Sequence, residues 1–175
     1  MNKTILISAG HSTIAPIDSG AVGNGFQEAK EALRLRDAVA ARLRAKGFEV
    51  LEDGADGISE PLKKAIALCA KASVAVEIHF NAGLPKATGI EVLAKPKLKV
   101  LSQKLAKAVG DATGLVLRGD KGYKPDNSGQ HHRLGFCEAG GAILEVAFIS
   151  NAEDMRRYKA NFEAIAENLA IVLAG

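Results

Sequence analysis

Two histidines and two glutamates in this 175-residue chain stand where packing alone does not account for them. His11 lies in the run Ser8-Ala9-Gly10-His11-Ser12, and Glu28 lies at the start of a long helical pattern. His79 lies in Glu77-Ile78-His79-Phe80-Asn81, and Glu145 lies inside the apolar run Ala142-Ile143-Leu144-Glu145-Val146-Ala147. Two imidazoles and a carboxylate are the donor set of a hydrolytic zinc site, which uses three protein ligands and keeps a fourth position for water. A second carboxylate beside that water can carry the proton.

Taken singly, each residue has a plainer account. His11 reads as a loop histidine bonded to backbone, and Glu28 as an acidic residue favoured by the dipole of a first helical turn. His79 shares its face with Glu77 and Asn81 in a period-two pattern, while Val76, Ile78 and Phe80 face the other way. Three polar groups on one face at the end of a strand suit a site better than a core. Glu77 then either orients a ligand or sits solvated at the sheet end. Glu145 either forms a buried ion pair with a helix Lys or Arg, or is kept in its apolar run for chemistry.

The elements that must position these residues alternate along the chain. Residues 3–9 read as a buried strand and 10–25 as a Gly/Ser-rich loop. A helix follows over 26–46, with Gly47 as its stop. Residues 48–51 read as a strand, and 58–72 as a helix with Pro61 in its first turn. Strands are expected over 73–80 and 89–94, a helix over 98–113, and a short strand over 115–117. Residues 119–133 are polar and patternless, a length of loop that is usually functional. A last strand over 142–147 and one or two helices over 152–174 close the chain. This alternation predicts one three-layer α/β domain over 1–175, with a mainly parallel, twisted sheet of about six strands flanked by helices. The carboxyl ends of such strands are where ligand sites form.

The composition excludes several classes. A net charge of +3, dispersed along the chain, with no Trp and no basic block interleaved with aromatics, argues against nucleic acid. A mildly basic surface would tolerate an anionic polymer such as a cell wall. No apolar run approaches membrane-spanning length, so no stable membrane insertion is expected. The N-terminus lacks a signal-peptide pattern, which predicts cytoplasmic synthesis. Cys69 fits a helical pattern as a small apolar residue, whereas Cys137 falls in a loop-like stretch and could be a free thiol. Neither has a C-x-x-C partner. Gly20–Gly25 lacks the spacing of a phosphate loop.

At this point several separated motifs, in order, resemble the amidase-3 type of zinc-dependent N-acetylmuramoyl-L-alanine amidases. The opening strand and Gly10-His11-Ser12 are similar to the family's start. Asp18-Ser19-Gly20-Ala21 resembles its D-x-G-A, and Asn24-Gly25-Phe26-Gln27-Glu28 its loop into a ligand glutamate. Glu77-Ile78-His79-Phe80-Asn81-Ala82 and Gly89-Ile90-Glu91-Val92-Leu93 resemble two of its strands. The run from Ile143 to Asn151 resembles its closing L-x-E-x-G-F-x-S-N. Ser12, Ala29, Gly140 and Ala147 depart from common family choices but touch none of the four chemical positions.

The resemblance implies one Zn²⁺ per chain, with His11, Glu28 and His79 as metal ligands and Glu145 as the catalytic carboxylate. It implies peptidoglycan as substrate, cut at the amide between N-acetylmuramic acid and L-alanine. Glu77, Asn81, His131, His132 and Arg133 are further candidates to support the ligands or touch substrate, with 119–133 bordering the groove. The spacing is closest to compact phage endolysins, which implies a lysin that reaches the wall or periplasm by holin-dependent release. Oligomeric state is left open. The rivals are a zinc peptidase or amidohydrolase with another substrate, and a wall-binding module that has lost catalysis.

Overall fold

The computed structural model describes residues 3–14, 18–54, 57–128 and 134–175. In chain order the elements are β1 (Thr4–Ala9), β2 (Val22–Gly23), β3 (Phe26–Gln27), α1 (Glu28–Ala45), β4 (Glu49–Leu51) and α2 (Leu62–Cys69). Then follow β5 (Val74–Asn81), β6 (Glu91–Ala94), α3 (Lys99–Thr113), β7 (Tyr123–Pro125), α4 (Gly135–Glu138), β8 (Ala142–Phe148), α5 (Ala152–Ala160) and α6 (Phe162–Ala174). Six strands form one sheet in the order β4-β1-β5-β8-β6-β7. The first four are parallel, β6 runs antiparallel to β8, and β7 is parallel to β6. The expected mainly parallel α/β sheet is therefore present.

The alternation of side chains along each strand divides the layers. Ile5, Ile7, Val76, Ile78, Val92 and Leu144 point into the larger core, against α1, α3, α5 and α6. Leu6, Ala75, Leu93 and Ile143 point the other way and are covered by the short α2 and α4, through Ala65, Cys69, Phe136 and Cys137. The thick layer supplies most of the apolar burial that drives folding. Among the described residues, the thin layer leaves the strand ends on its side uncovered. Among the described residues, no helix is long and apolar enough to cross a membrane.

Where the elements differ from expectation, local chemistry explains the difference. The loop over 10–25 contains a hairpin, with Val22 opposite Gln27 and Gly23 opposite Phe26. Its turn is Asn24-Gly25, both at positive φ (51° and 81°), the dipeptide that tight hairpins favour. Phe26 and Gln27 are thus extended, and the helix starts at Glu28. The helix expected over 58–72 begins only after Pro61, which serves as its N-cap in an extended conformation. Residues 115–117 make a single bridge, Leu117 to Ile90, and not a strand. Within 119–133, Tyr123–Pro125 forms the sheet's edge, where a proline needs no ladder partner. The four-residue α4 is too short for any periodicity to show. Residues 152–174 form two helices.

Asn151 caps α5, its side chain accepting from the Glu153 and Asp154 amides, a cap that contributes about 1 kcal/mol. Asp154 is fully buried and ties three segments together. It accepts from the Thr88 hydroxyl at 2.5 Å and from the Gly89 and Phe148 amides, both at 3.0 Å. Asp154→Ala should leave those amides buried without partners and cost about 2–4 kcal/mol, read as a shift in the denaturant midpoint. A change below about 0.5 kcal/mol would show that the three bonds do not hold the end of β8.

Candidate active site

The site lies on the thin-layer side of the sheet, where β1 and β5 end and α1 begins. His11 follows β1 with φ 64°, a left-handed conformation uncommon for a residue with a side chain. The loop after it folds back onto the helix start. Ser12 donates its amide to the Asp18 carbonyl, Glu28 to Ala21, and Ala29 to Ser19. Two glycines permit this approach. A Cβ at Gly10 would stand 2.3 Å from the His79 ring. Gly20 has φ 72°, and a Cβ there would meet both a Glu28 oxygen and the His11 ring at 2.7 Å.

The Glu28 carboxylate bridges the two imidazoles, with Oε2 3.2 Å from His11 Nε2 and Oε1 3.0 Å from His79 Nδ1. The same oxygens accept from backbone amides, Ala21 at 2.9 Å and Phe80 at 3.0 Å. Each ring's other nitrogen meets its own carboxylate. His11 Nδ1 lies 2.9 Å from Asp18, and His79 Nε2 lies 2.9 Å from Glu77. Glu77 is buried and its second oxygen is 3.5 Å from the Ser8 hydroxyl. It therefore orients His79 and is not solvated. The rings meet edge to face, 5.1 Å between centroids.

Charge follows this geometry. Burial acts to raise the Glu28 carboxyl, but hydrogen bonds from His11 and His79 outweigh it and hold it below the usual range. Burial acts against a charged His79, yet hydrogen bonds to Glu28 and Glu77 carry it well above its ordinary value. The hydrogen bond to Glu28 likewise raises His11, against the effect of burial.

Glu145 stands beside this cluster. The parallel register of β5 and β8 pairs it with His79, and paired residues project from the same face of a sheet. Among the described residues, no Lys or Arg pairs with it. Its Oε2 is buried without a hydrogen-bond partner among the described residues. Burial raises its carboxyl to about 7, against the pull of His79 and with help from the charges of Glu28 and Glu91. Among the described residues, the ion pair that the apolar run allowed for this carboxylate is therefore not formed. His11, Glu28, His79, Asn81, Leu93, Ile143 and Glu145 line a pocket of about 240 Å³. A second pocket of about 320 Å³ opens on the other side of the histidines, between Ser12, Asp18, Pro61, Leu62 and Glu77.

One ligand atom each from His11, Glu28 and His79 lie within 4.8 Å of one another. The nitrogens turned toward Glu28 are the ones not held by Asp18 and Glu77, the pattern in which a carboxylate orients a ligating imidazole. The cluster fits a zinc ion.

A buried clamp supports His11 from behind. Arg36 and Asp53, both fully buried, pair at 2.9 Å. Asp53 accepts from the Ala9 amide at the end of β1, and Arg36 donates to the Ile58 carbonyl. The neighbouring Ser59 carbonyl accepts from the Ser12 hydroxyl, and the Ser59 hydroxyl donates to the His11 carbonyl. Charges in α1 and after β4 thus fix the strained residue.

Sequence reading assembled the four central residues but missed this support. Asp18 entered only as the first residue of the Asp18-Ser19-Gly20-Ala21 motif, with no contact assigned, and Arg36, Asp53 and Ser59 lie in separate segments that no spacing relates. Asn81 does line the pocket, and its amide donates to Glu91 at 3.0 Å. His131, His132 and Arg133 lie outside the described residues. Cys137 is not a loop thiol. It is buried in α4 with its Sγ 3.3 Å from the Leu93 carbonyl, and burial pushes it up to about 12.

Comparison with known proteins bears on the family and the fold. The family model for N-acetylmuramoyl-L-alanine amidases of the amidase-3 type matches residues 5–174. A crystal structure from Neisseria meningitidis, assigned to the N-acetylmuramoyl-L-alanine amidases, superposes with a TM-score of 0.88 at 42% identity, over 98% of this chain and 94% of that one. The catalytic domain of the amidase CwlV from Bacillus (Paenibacillus) polymyxa gives 0.79 at 25% identity, over 97% and 95%. The uncharacterised Bacillus subtilis protein YqiI is 28% identical over 157 residues, 87% of this chain and 73% of its own. With its sheet and these matches in agreement, the chain belongs to the amidase-3 family of N-acetylmuramoyl-L-alanine amidases.

Proposed function

We propose that this protein is a zinc-dependent amidase that frees stem peptides from peptidoglycan, with His11, Glu28 and His79 holding the metal and Glu145 moving the proton. The observation that carries this reading is the Glu145 Oε2, which has no hydrogen-bond partner among the described residues and lines a pocket beside three converging ligand atoms. A binding module has no need of such a costly group. When bound, zinc supplies Lewis acidity, polarising the amide carbonyl and acidifying water.

The chain's own residues account for the rest. Glu145 accepts a proton from the water that attacks the lactyl carbonyl carbon. As the C–N bond breaks, it returns that proton to the departing L-alanine nitrogen. The products are a lactyl carboxylic acid on intact glycan and a peptide with a free L-alanine amino terminus. Asp18 and Glu77 keep the imidazoles turned so that the nitrogens facing Glu28 remain the donors. We further propose that the activity is used for lysis, as in an endolysin or prophage lysin that reaches the wall by holin-dependent release. Clearing of holin-permeabilised cells, absent without holin, is the check on that use.

Purified peptidoglycan incubated with zinc-loaded protein should release stem peptides with new L-alanine amino termini, seen by mass spectrometry, and none under chelation. Peptides cut elsewhere would make the protein a zinc peptidase. Glu145→Gln should keep its zinc, by elemental analysis, and lose about 10²- to 10⁴-fold in rate. Near-wild-type turnover by the zinc-loaded variant would remove Glu145 from the reaction.

The metal-free protein offers a test by stability. Burial holds Glu145 at about 7, above its ordinary 4.5. A raised carboxyl contributes stability that is fully present below pH 4.5 and lost as pH rises through 7. Metal-free Glu145→Gln should therefore gain on the wild type between about pH 4 and pH 8, by on the order of 3 kcal/mol. A stability difference flat across that range would show that Glu145 titrates normally.

A further inference from the structure

Beyond Glu145 the sheet carries positive charge that the chemistry above does not use. Glu91 on β6 lies directly opposite Glu145 on β8, so both side chains leave the same face of the sheet. Glu91 is buried, and its Oε1 accepts from Asn81 at 3.0 Å. Its Oε2 is shared by two cations, Arg118 Nε at 2.5 Å and Lys124 Nζ at 2.7 Å. Among the described residues, neither cation has a second carboxylate. One anion against two cations leaves an excess of one positive charge.

This charge is fixed in place and open to solvent. The Arg118 guanidinium lies over the Phe148 ring, 4.8 Å from its centroid, and Nη1 donates to the Thr88 carbonyl at 3.1 Å. Lys124 is the register partner of Leu93, which lines the pocket with Glu145. The two side chains are 35% and 28% exposed. Neutralising a buried carboxylate needs one cation. The second, anchored at the edge of the pocket, is suited to an anion from outside.

We propose that Arg118 and Lys124 form a subsite for the carboxylate that the stem peptide carries on the residue after the scissile L-alanine. This rests on the amidase reading above. Directly opposed residues on neighbouring strands are about 5 Å apart, and the cations stand one hydrogen bond beyond Glu91. That distance matches about two steps of an extended peptide at ~3.5 Å each, which is where the carboxylate of a second-position glutamate falls. The subsite makes the enzyme selective for stem peptides whose second residue keeps that carboxylate free over those in which it is amidated.

The test uses two synthetic muramoyl-L-alanyl peptides that differ only in a free or amidated α-carboxylate on D-glutamate. The zinc-loaded wild type should favour the acid by about 10- to 100-fold in kcat/KM, expressed mainly in KM. The double variant Arg118→Gln/Lys124→Gln should cleave both at about the rate of the amide, with zinc content and melting temperature checked alongside. The single Lys124→Gln, at a partly exposed edge position, should lose part of the preference and guards against misfolding of the double variant. Equal rates on both substrates by the wild type, or a preference that survives the double variant, would overturn the subsite. Cleavage of neither substrate by the wild type would overturn the amidase reading and the subsite with it.

Discussion

The carboxylate of Glu28, almost excluded from solvent, answers four donors from three separate segments, and the rest of the site depends on that convergence. His11 comes from the end of β1, His79 and the Phe80 amide from β5, and the Ala21 amide from the returning loop. A buried anion is tolerated only when its lone pairs are filled. Glu28 therefore obliges the loop to fold back and the two strand ends to lie side by side. Its place in the first turn of α1 adds the favourable end of a helix dipole. The site is assembled by satisfying one charge, and a metal would take over a geometry already built around it.

The unequal layers explain why this convergence faces solvent. Four helices on one face carry the large apolar core, while α2 and α4 cover only part of the other. Among the described residues, the strand ends on the thin side are left open, and polar residues gather there without weakening the main core. The reversal of β6 matters as well. Running antiparallel to β8, it sets Glu91 against Glu145, so the sheet itself joins the buried Glu145 carboxylate to the basic edge formed with Lys124 of β7.

How much of this could be read from sequence depended on the range of the interactions. β1, β5 and β8 announced themselves because buried parallel strands are short apolar runs, and a Glu or His within them is conspicuous. The face shared by Glu77 and His79 followed from period two. The hairpin of Val22–Gly23 with Phe26–Gln27 was hidden because two-residue strands carry no periodicity, although Asn24-Gly25 marks its turn. β7 was hidden because an edge strand holding Lys124 and Pro125 has no apolar signature. The clamp from Arg36 through Asp53 and Ser59 to His11 was beyond reach. It joins residues that only the folded chain makes neighbours, and a charged residue in a helix pattern ordinarily faces water.

The two cysteines have a consequence of their own. Both pack in the thin layer, Cys69 on α2 and Cys137 on α4, and burial holds their thiols up at about 11 and 12. Thiolate, the form that alkylating reagents attack, is scarce in the closed protein. Reaction with such a reagent must wait for α2 or α4 to lift from the sheet, so the rate of labelling reports how often that cover opens. The fold thus carries its own clock for breathing motions of the layer beside the active site, readable without any introduced probe.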